Sequence, residues 1–330
     1  MEPTPSRGQC VREIECQDQI NSCESKRPRI PNQIYLSSKP KLITDESDSE
    51  MGSRKLRIMT YLAPGLPLDF FDLFRDYLEK ETGINSYIIY ESRWSGPPLD
   101  RKDPFTADEA DIVFMCSTAF LRLLHQKNEY MELCLAAPLY IHPSAQNRPV
   151  YFSDIIIHKE NQIKFKDFLA LKGCRWAYND DISLSGNLMV LAELKKQGYN
   201  ANFFGHVVKS GSHHKSLRMI LDHTVDAAAI DSNTWAVYQR QFPERASNLV
   251  KLTSFGPMPV YPMVFNSRLQ AKLKEKITHL LLSVDKSPDW GPQLQSFGIS
   301  GYTRIDSSLY DLETLIQDLV KGLTINPAYY

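Results

Sequence analysis

The sequence predicts an α/β fold divided into about two domains. From residue 54 onward, short runs rich in β-branched and aromatic residues alternate with amphipathic helical stretches, a pattern that favours parallel sheets covered by helices. The chain has 330 residues, of which 42% are hydrophobic and 23% are charged. At roughly 100 to 200 residues per domain, this length allows about two domains with sizeable cores.

Residues 1–53 differ in composition from the rest of the chain. Prolines are mixed with charged residues and serines, and no hydrophobic period persists. We therefore expect a disordered N-terminal tail. Residues 26–29 (KRPR) match a weak nuclear-import signal and residues 45–50 (DESDSE) an acidic site for serine phosphorylation, although a solvated tail with ordinary charge clusters is the simpler interpretation of both.

Each predicted strand beyond the tail ends at a turn that opens a helix. The first strand, residues 56–61, precedes a helix in which Phe70, Phe74 and Leu78 recur at helical spacing and which ends at Gly83. Apolar stripes at 269–281 and 312–320 predict two helices near the C-terminus. The strand and helix pairs in between are 112–115 with 120–124, 175–178 with 188–196, 206–208 with 217–221, and 227–230 with a helix through Tyr238.

Composition argues against several classes of function. A net charge of -1 and a pI near 6.7 provide no basic field for phosphate backbones, so we expect no nucleic-acid partner. No apolar run approaches the roughly 20 residues of a membrane span. Residues 1–20 lack the layout of a secretory signal, and the six cysteines form no CxxC pair. We therefore expect an intracellular protein with reduced thiols, cytoplasmic or alternatively nuclear.

Chemistry is expected at the turns between strands and helices. In an open parallel sheet these turns lie at the carboxyl ends of the strands, where ligands bind. Residues 180–186 (DDISLSG) form such a turn, and they bring the hydroxyls of Ser183 and Ser185 to a helix N-terminus beside Gly186. Free backbone N–H groups and the helix dipole make this a candidate anion site, unless Ser183 or Ser185 merely caps the helix.

A second turn of this kind, residues 211–214 (GSHH), follows the next strand. His213 stands near the helix start, where a neutral imidazole is favoured and can donate a hydrogen bond to an anion. The alternative is a structural or solvated histidine. A second donor cluster at the same edge of the sheet favours the anion-binding interpretation.

Asp231 and Tyr151 are two further candidates. Asp231 follows the predicted strand 227–230, and its carboxylate either accepts hydrogen bonds from a ligand or caps the next helix. Tyr151 lies in a predicted strand that enters a second lobe, where its hydroxyl offers a donor. A half-buried core tyrosine is the alternative interpretation of Tyr151.

Familiar catalytic and cofactor motifs are missing from the sequence. It contains no GxGxxG, GxxxxGK[ST], GxSxG or HExxH pattern. His213 and His214 lack partners at zinc spacing, so we expect neither a metal site nor a cofactor. A serine, a histidine and an aspartate stand in the predicted cleft, but on separate helix starts with no visible base-orienting pair, so the pattern gives hydrolysis little support.

Several motifs follow one another in a characteristic order. They are PVYFSDIII at 149–157, FLALKG at 168–173, ISLSG at 182–186, GSH at 211–213 and VDAAAIDS at 225–232, followed by residues 259–264 and 298–302. This string resembles the PhnD-like family, the phosphonate and phosphite substrate-binding proteins of bacterial ABC transporters. The resemblance spans most of residues 54–310, and the ordered string is more specific than any one motif.

The resemblance implies a type II periplasmic-binding-protein fold, in which two Rossmann-like lobes joined by a hinge close on a small oxyanion. We expect the first lobe at residues 54–144 and 252–330 and the second lobe at residues 145–251. Carried over by position, the family's oxyanion-binding turns and tyrosine give the expected ligand-binding residues. These are Tyr151, Ser183, Leu184, Ser185, Gly186 and His213, with Asp231 near a variable polar position.

Two positions depart from the family pattern. Leu184 stands where the family has threonine, which removes a hydroxyl but keeps the backbone N–H, so a weaker grip or a different anion is expected. Asn233 falls close to the acidic residue that holds the amine in aminoalkylphosphonate binders. An amine-bearing ligand is therefore less expected.

These features favour a binding protein that closes on a phosphonate, phosphite or phosphate-like anion and acts as an intracellular sensor or carrier, with no transporter partner evident. The alternative is an enzyme, of lyase or cofactor-biosynthesis type, built on the same two-lobed cleft. A third interpretation is an interaction protein with a vestigial cleft, whose N-terminal tail recruits partners.

Overall fold

The computed structural model describes residues 54–61, 65–91 and 93–323, and the predicted tail lies outside the described residues. The strands are β1 (Leu56–Thr60), β2 (Ser86–Tyr90), β3 (Ile112–Phe114), β4 (Met131–Leu133), β5 (Ala136–Tyr140), β6 (Val150–His158), β7 (Arg175–Tyr178), β8 (His206–Lys209), β9 (Ala227–Asp231), β10 (Leu249–Pro259), β11 (Met263–Asn266) and β12 (Ile299–Arg304). The helices are α1 (Leu68–Thr82), α2 (Ser117–His125), α3 (Met189–Lys196), α4 (His213–Leu221), α5 (Ser232–Gln241), α6 (Pro243–Ala246), α7 (Ala271–Leu281), α8 (Gly291–Ser296) and α9 (Asp311–Val320).

Two five-stranded sheets form two lobes, which confirms the predicted two-lobed α/β class. The first lobe has the strand order β2-β1-β3-β11-β4 and the second lobe β10-β6-β9-β7-β8. As predicted, β1 runs parallel to β2 and β3, and β7 runs parallel to β8 and β9. Both sheets are nevertheless mixed, because β11 and β6 run antiparallel to their neighbours. β6 follows the crossing into the second lobe, and β11 follows the crossing back into the first lobe. Each of them therefore enters its sheet from the end opposite to that of the parallel strands.

The two crossings lie side by side. Residues 141–149 lead from β5 into β6, and residues 260–262 lead from β10 into β11. Because β6 and β10 pair with each other, the two crossings form one hinge region. The predicted lobe boundary at residue 252 falls within β10, which stays in the second sheet as far as Pro259.

Each sheet has its own apolar core. In the first lobe, Phe71 and Phe74 of α1 pack edge-on against Phe114 of β3, with ring centroids 5.3 and 5.0 Å apart. In the second lobe, Trp176 of β7 stacks on Phe204 at 4.2 Å. Burial of apolar side chains of this size contributes on the order of 2 to 3 kcal/mol each, so these contacts hold helices and loops onto the sheets.

The same ion pair recurs in both lobes at the amino ends of the parallel strands. Asp111, directly before β3, accepts the backbone N–H of Arg57 at 2.8 Å and two guanidinium nitrogens at 3.0 and 2.9 Å. Asp226, directly before β9, makes the same three contacts with Arg175 at 2.8, 3.2 and 2.8 Å. Each carboxylate therefore joins the starts of two neighbouring strands through bidentate, charge-assisted hydrogen bonds.

The lobes also contact each other away from the hinge. A Cβ on Gly65 of the first lobe would lie 2.4 Å from Oγ1 of Thr234 in α5. Val237 of α5 belongs to the apolar core of the first lobe, and Val320 of α9 belongs to that of the second lobe. The two lobes therefore contact each other beyond the two crossings.

None of the helices in the described residues is both long enough and apolar enough to cross a membrane.

We predict that Asp111→Ala lowers the free energy of unfolding by about 3 kcal/mol, because it leaves the guanidinium of Arg57 without its buried partner. Urea unfolding followed by circular dichroism measures the loss. The control is Asp76→Ala, which removes an exposed ion pair with Arg75 and is expected to cost under about 1 kcal/mol. Equal losses in the two variants would contradict the structural importance of the Asp111 pair.

Candidate functional site

The turn after β7 begins with a cap that leaves backbone donors free. Ser183 Oγ accepts the backbone N–H of Gly186 at 3.1 Å, and a single π-helical turn (Leu184–Leu188) leads into α3. The backbone N–H groups of Leu184 and Ser185 donate to no acceptor within the described part of the chain. The turn therefore presents two amide donors at the positive end of a helix.

The side chains of this turn divide between core and cleft. Leu184 is buried in the apolar core of the second lobe, so only its backbone is left to meet a ligand. Ser185 is 2% exposed, and its carbonyl accepts the hydroxyl of Ser153 from β6 at 2.6 Å. This bond fixes the turn against the strand that enters the lobe.

Gly186 allows a close approach to the side chain of Asn179. A Cβ at this position would lie 1.7 Å from Oδ1 of Asn179, the residue that directly follows β7. The carbonyl of Asn179 accepts the N–H of Gly211 at 3.0 Å, which ties the turn after β7 to the turn after β8. Gly211 has φ +91, a conformation that L side chains rarely adopt.

His213 begins α4 and meets the first turn. Its Nε2 lies 3.4 Å from Ser185 Oγ and 3.4 Å from Nδ2 of Asn179. Burial, with a smaller contribution from the neighbouring His214, lowers the pKa of His213 to about 4. The imidazole is therefore neutral near pH 7, and one ring nitrogen carries a proton that it can donate.

Asp231 caps α5, one of the two roles expected of it. Its Oδ1 accepts the N–H groups of Asn233 at 2.7 Å and Thr234 at 3.1 Å, and its Oδ2 accepts the hydroxyl of Tyr261. The carboxylate is fully buried, and this burial raises its pKa to about 6. Both oxygens are thus engaged by the protein, and contact of Asp231 with a ligand stays a prediction.

Tyr151 stands where the two lobes meet. Its ring centroid lies 5.0 Å from that of Tyr261, and the side chain is buried. Burial, together with the nearby charges of Asp231 and then Glu313, raises the pKa of Tyr151 well above its ordinary value. The phenol therefore stays protonated, and it lies close to carboxylates from both lobes.

The corresponding turn of the first lobe is occupied by an internal carboxylate. Cys116 caps α2, and Thr118 in the first turn of that helix donates its hydroxyl to Glu313 of α9 at 2.6 Å. Glu313 is fully buried, and burial raises its pKa. The anion-favouring start of α2 is thus already filled by the side chain of Glu313, whereas the turn after β7 is not filled in this way.

Residues 68–310 match the family of periplasmic substrate-binding proteins of phosphonate ABC transporters. The match covers more than half of the chain. This chain belongs to that family. No curated protein matches it.

Solved structures agree on the fold of this phosphonate-binding family member. A PhnD protein of Prochlorococcus marinus in complex with methylphosphonate has a TM-score of 0.64 and 17% identity, and the alignment covers 81% of this chain and 98% of that one. A binding-protein component of an ABC phosphonate transporter from Pseudomonas aeruginosa has a TM-score of 0.63 and 18% identity, with 80% and 87% covered. A Xanthomonas citri protein bound to ATP has a TM-score of 0.55 and 17% identity, with 82% and 99% covered. At these identities the likeness shows the fold alone, which is the predicted type II periplasmic-binding-protein fold.

The structure brings Ser183, Ser185, Gly186 and His213 together, as the resemblance to the phosphonate-binding family implied. Sequence reasoning missed Asn179, Ser153 and Tyr261, which contact these residues or Asp231. Asn179 carries a usable signal, because it is a polar residue directly after a buried strand. Ser153 and Tyr261 carry no comparable signal, since their partners are distant in sequence.

The neutral His213 predicts a pH dependence of stability for this family member. Its folded-state pKa lies below the unfolded value near 6.5, so the unfolded chain binds more protons, and the stability present above about pH 6.5 is lost as the pH falls towards 4. We predict that wild type loses about 1 to 2 kcal/mol more than His213→Asn between about pH 7 and pH 5. Urea unfolding at the two pH values measures this difference, and identical pH dependences would contradict a neutral His213 in the folded protein.

Proposed function

We propose that this protein binds a small tetrahedral phosphorus oxyanion, a phosphonate, phosphite or phosphate, between its two lobes. One observation carries the proposal. Ser185 Oγ and His213 Nε2, from helix starts that follow two neighbouring strands, lie 3.4 Å apart. The complex of the Prochlorococcus marinus PhnD protein with methylphosphonate, which has the same fold, supports this class of ligand.

The donor set suits an oxyanion. The donors in the turns after β7 and β8 are hydroxyl, imidazole and backbone N–H groups. Among the described residues, neither a guanidinium nor an ammonium group contacts Ser185 or His213. Hydrogen bonds from such donors to a charged acceptor are strong in a desolvated site. Lys209, which ends β8, is paired with Asp180 at 3.2 Å and with Asp181 at 2.6 Å. Lys209 therefore offsets part of the negative charge of Asp180 and Asp181, which reduces their repulsion of an incoming anion.

The geometry favours the second lobe as the primary binding surface. Among the described residues, the amide donors of its turn after β7 have no acceptor, whereas the start of α2 in the first lobe already holds the carboxylate of Glu313. Tyr151 follows one hinge crossing and lies close to charges from both lobes. We infer that the anion first meets Ser185 and His213 and that closure at the hinge brings the first lobe over it.

We predict that Ser185→Ala and His213→Ala each weaken binding of methylphosphonate and phosphite about 10- to 100-fold, because each removes a hydrogen bond to a charged acceptor. Isothermal titration calorimetry of the full chain measures both affinities. His279→Ala is the matched control, since this exposed histidine lies in α7 of the first lobe and should leave binding unchanged. Absence of heat with methylphosphonate, phosphite and phosphate, or equal effects of all three variants, would contradict the proposal.

The sensor or carrier role and the intracellular location stay predictions, as does the enzyme alternative. Recovery of unchanged methylphosphonate after incubation, followed by ³¹P NMR, supports binding without turnover. A new phosphorus resonance that is lost in His213→Ala would instead support an enzyme.

A further inference from the structure

We propose that the second lobe carries a zinc site formed by His158, Glu160 and His223, separate from the proposed oxyanion site. His158 ends β6, Glu160 lies in the short helical turn that follows, and His223 lies in the turn between α4 and β9. In the pairing of β6 with β9, Ser153 faces Asp231 at the cleft end, and Ile157 faces Ala227 at the other end. The three ligands therefore cluster at the end of the sheet away from Ser185.

The distances suit a single divalent ion. Nδ1 of His158 lies 3.6 Å from Oε2 of Glu160, and Nε2 of His223 lies 3.9 Å from the same oxygen. One ligand atom from each residue lies within 4.8 Å of the others. Ligand atoms around a tetrahedral zinc, with bonds of 2.0 to 2.1 Å, are about 3.3 to 3.4 Å apart. A contraction smaller than about 1.5 Å therefore brings all three ligands into coordination distance.

One ligand is fixed and two can adjust. The side chain of His158 is 9% exposed, and its Nδ1 accepts the N–H of Glu160 at 3.3 Å, a long bond that a metal could replace. The side chains of Glu160 and His223 are 76% and 53% exposed. The rings of His158 and His223 already lie 4.3 Å apart at 56° to each other. Two imidazoles therefore flank one mobile carboxylate.

The backbone around His223 is anchored from the same sheet. The carbonyl of His223 accepts the guanidinium of Arg175 at 2.8 Å, and that guanidinium is paired with Asp226. The carboxylate of Asp226 thus offsets the positive charge of Arg175, which reduces the repulsion between Arg175 and the proposed ion. Glu160 supplies the one negative charge within the ligand set.

The ligand types select the metal. Two imidazole nitrogens and one carboxylate oxygen suit Zn²⁺ or Co²⁺, whereas Ca²⁺ and Mg²⁺ prefer sets composed of oxygen ligands. Three protein ligands leave a fourth position for water. Because the ligands come from the end of β6 and from the turn before β9, a bound ion would join two segments of the second lobe and stabilise it.

The test uses the full chain, freed of metal with EDTA and titrated with ZnCl₂ by calorimetry. We expect one zinc ion whose affinity falls at least about tenfold in His223→Ala and in Glu160→Gln, both of which change exposed side chains. At about a hundredfold excess over Kd, zinc should raise the unfolding temperature of wild type by about 5 °C. His279→Ala, which removes an exposed histidine elsewhere, is the matched control and should behave as wild type.

Cobalt(II) identifies the ligands, because the cysteines of the chain could also hold zinc. Nitrogen and oxygen ligands give visible d–d bands without the intense near-ultraviolet band of a cobalt–thiolate bond. We expect this spectrum in wild type and its loss in His223→Ala. The proposal is overturned if no zinc binds, if both variants bind zinc as wild type does, or if the cobalt spectrum contains the thiolate band.

Discussion

The candidate site depends on the turn after β7, where the backbone N–H groups of Leu184 and Ser185 donate to no acceptor in the part of the chain that the structure describes. Because β7, β8 and β9 are parallel, their carboxyl ends meet at one edge of the second sheet, and the turns after β7 and β8 are joined by the bond from Gly211 to Asn179. Ser185 and His213 lie next to each other for that reason. At Gly186 a side chain would displace that of Asn179, which lies between the two turns.

The two lobes use similar parts for different purposes. In both, an aspartate before one strand pairs with an arginine of its parallel neighbour, so the amino ends of the strands are held by buried charge. At the carboxyl ends the lobes differ. In the first lobe Glu313 fills the start of α2, whereas in the second lobe the N–H groups of Leu184 and Ser185, in the turn before α3, have no acceptor among the described residues. This asymmetry is the reason for proposing the second lobe as the side that accepts the anion.

Sequence patterns predict what depends on neighbours along the chain. The β7 and β8 turns, the helices that follow them, and the convergence of Ser185 with His213 all follow from local patterns and from the geometry of parallel strands. The antiparallel entry of β6 does not follow, since it depends on how the chain crosses between lobes. The contacts of Tyr261 with Asp231 and of Glu313 with Thr118 join residues far apart in sequence, so the sequence alone left the role of Asp231 open.

A crystal structure of the full chain grown with methylphosphonate tests the central claim most directly. The expected result is tetrahedral density between the lobes, within hydrogen-bond distance of Ser185 Oγ, a ring nitrogen of His213 and the backbone N–H groups of Leu184 and Ser185. Ligand density found only beside the start of α2 in the first lobe would contradict the claim. The absence of ligand density beside Ser185 and His213 would also contradict it.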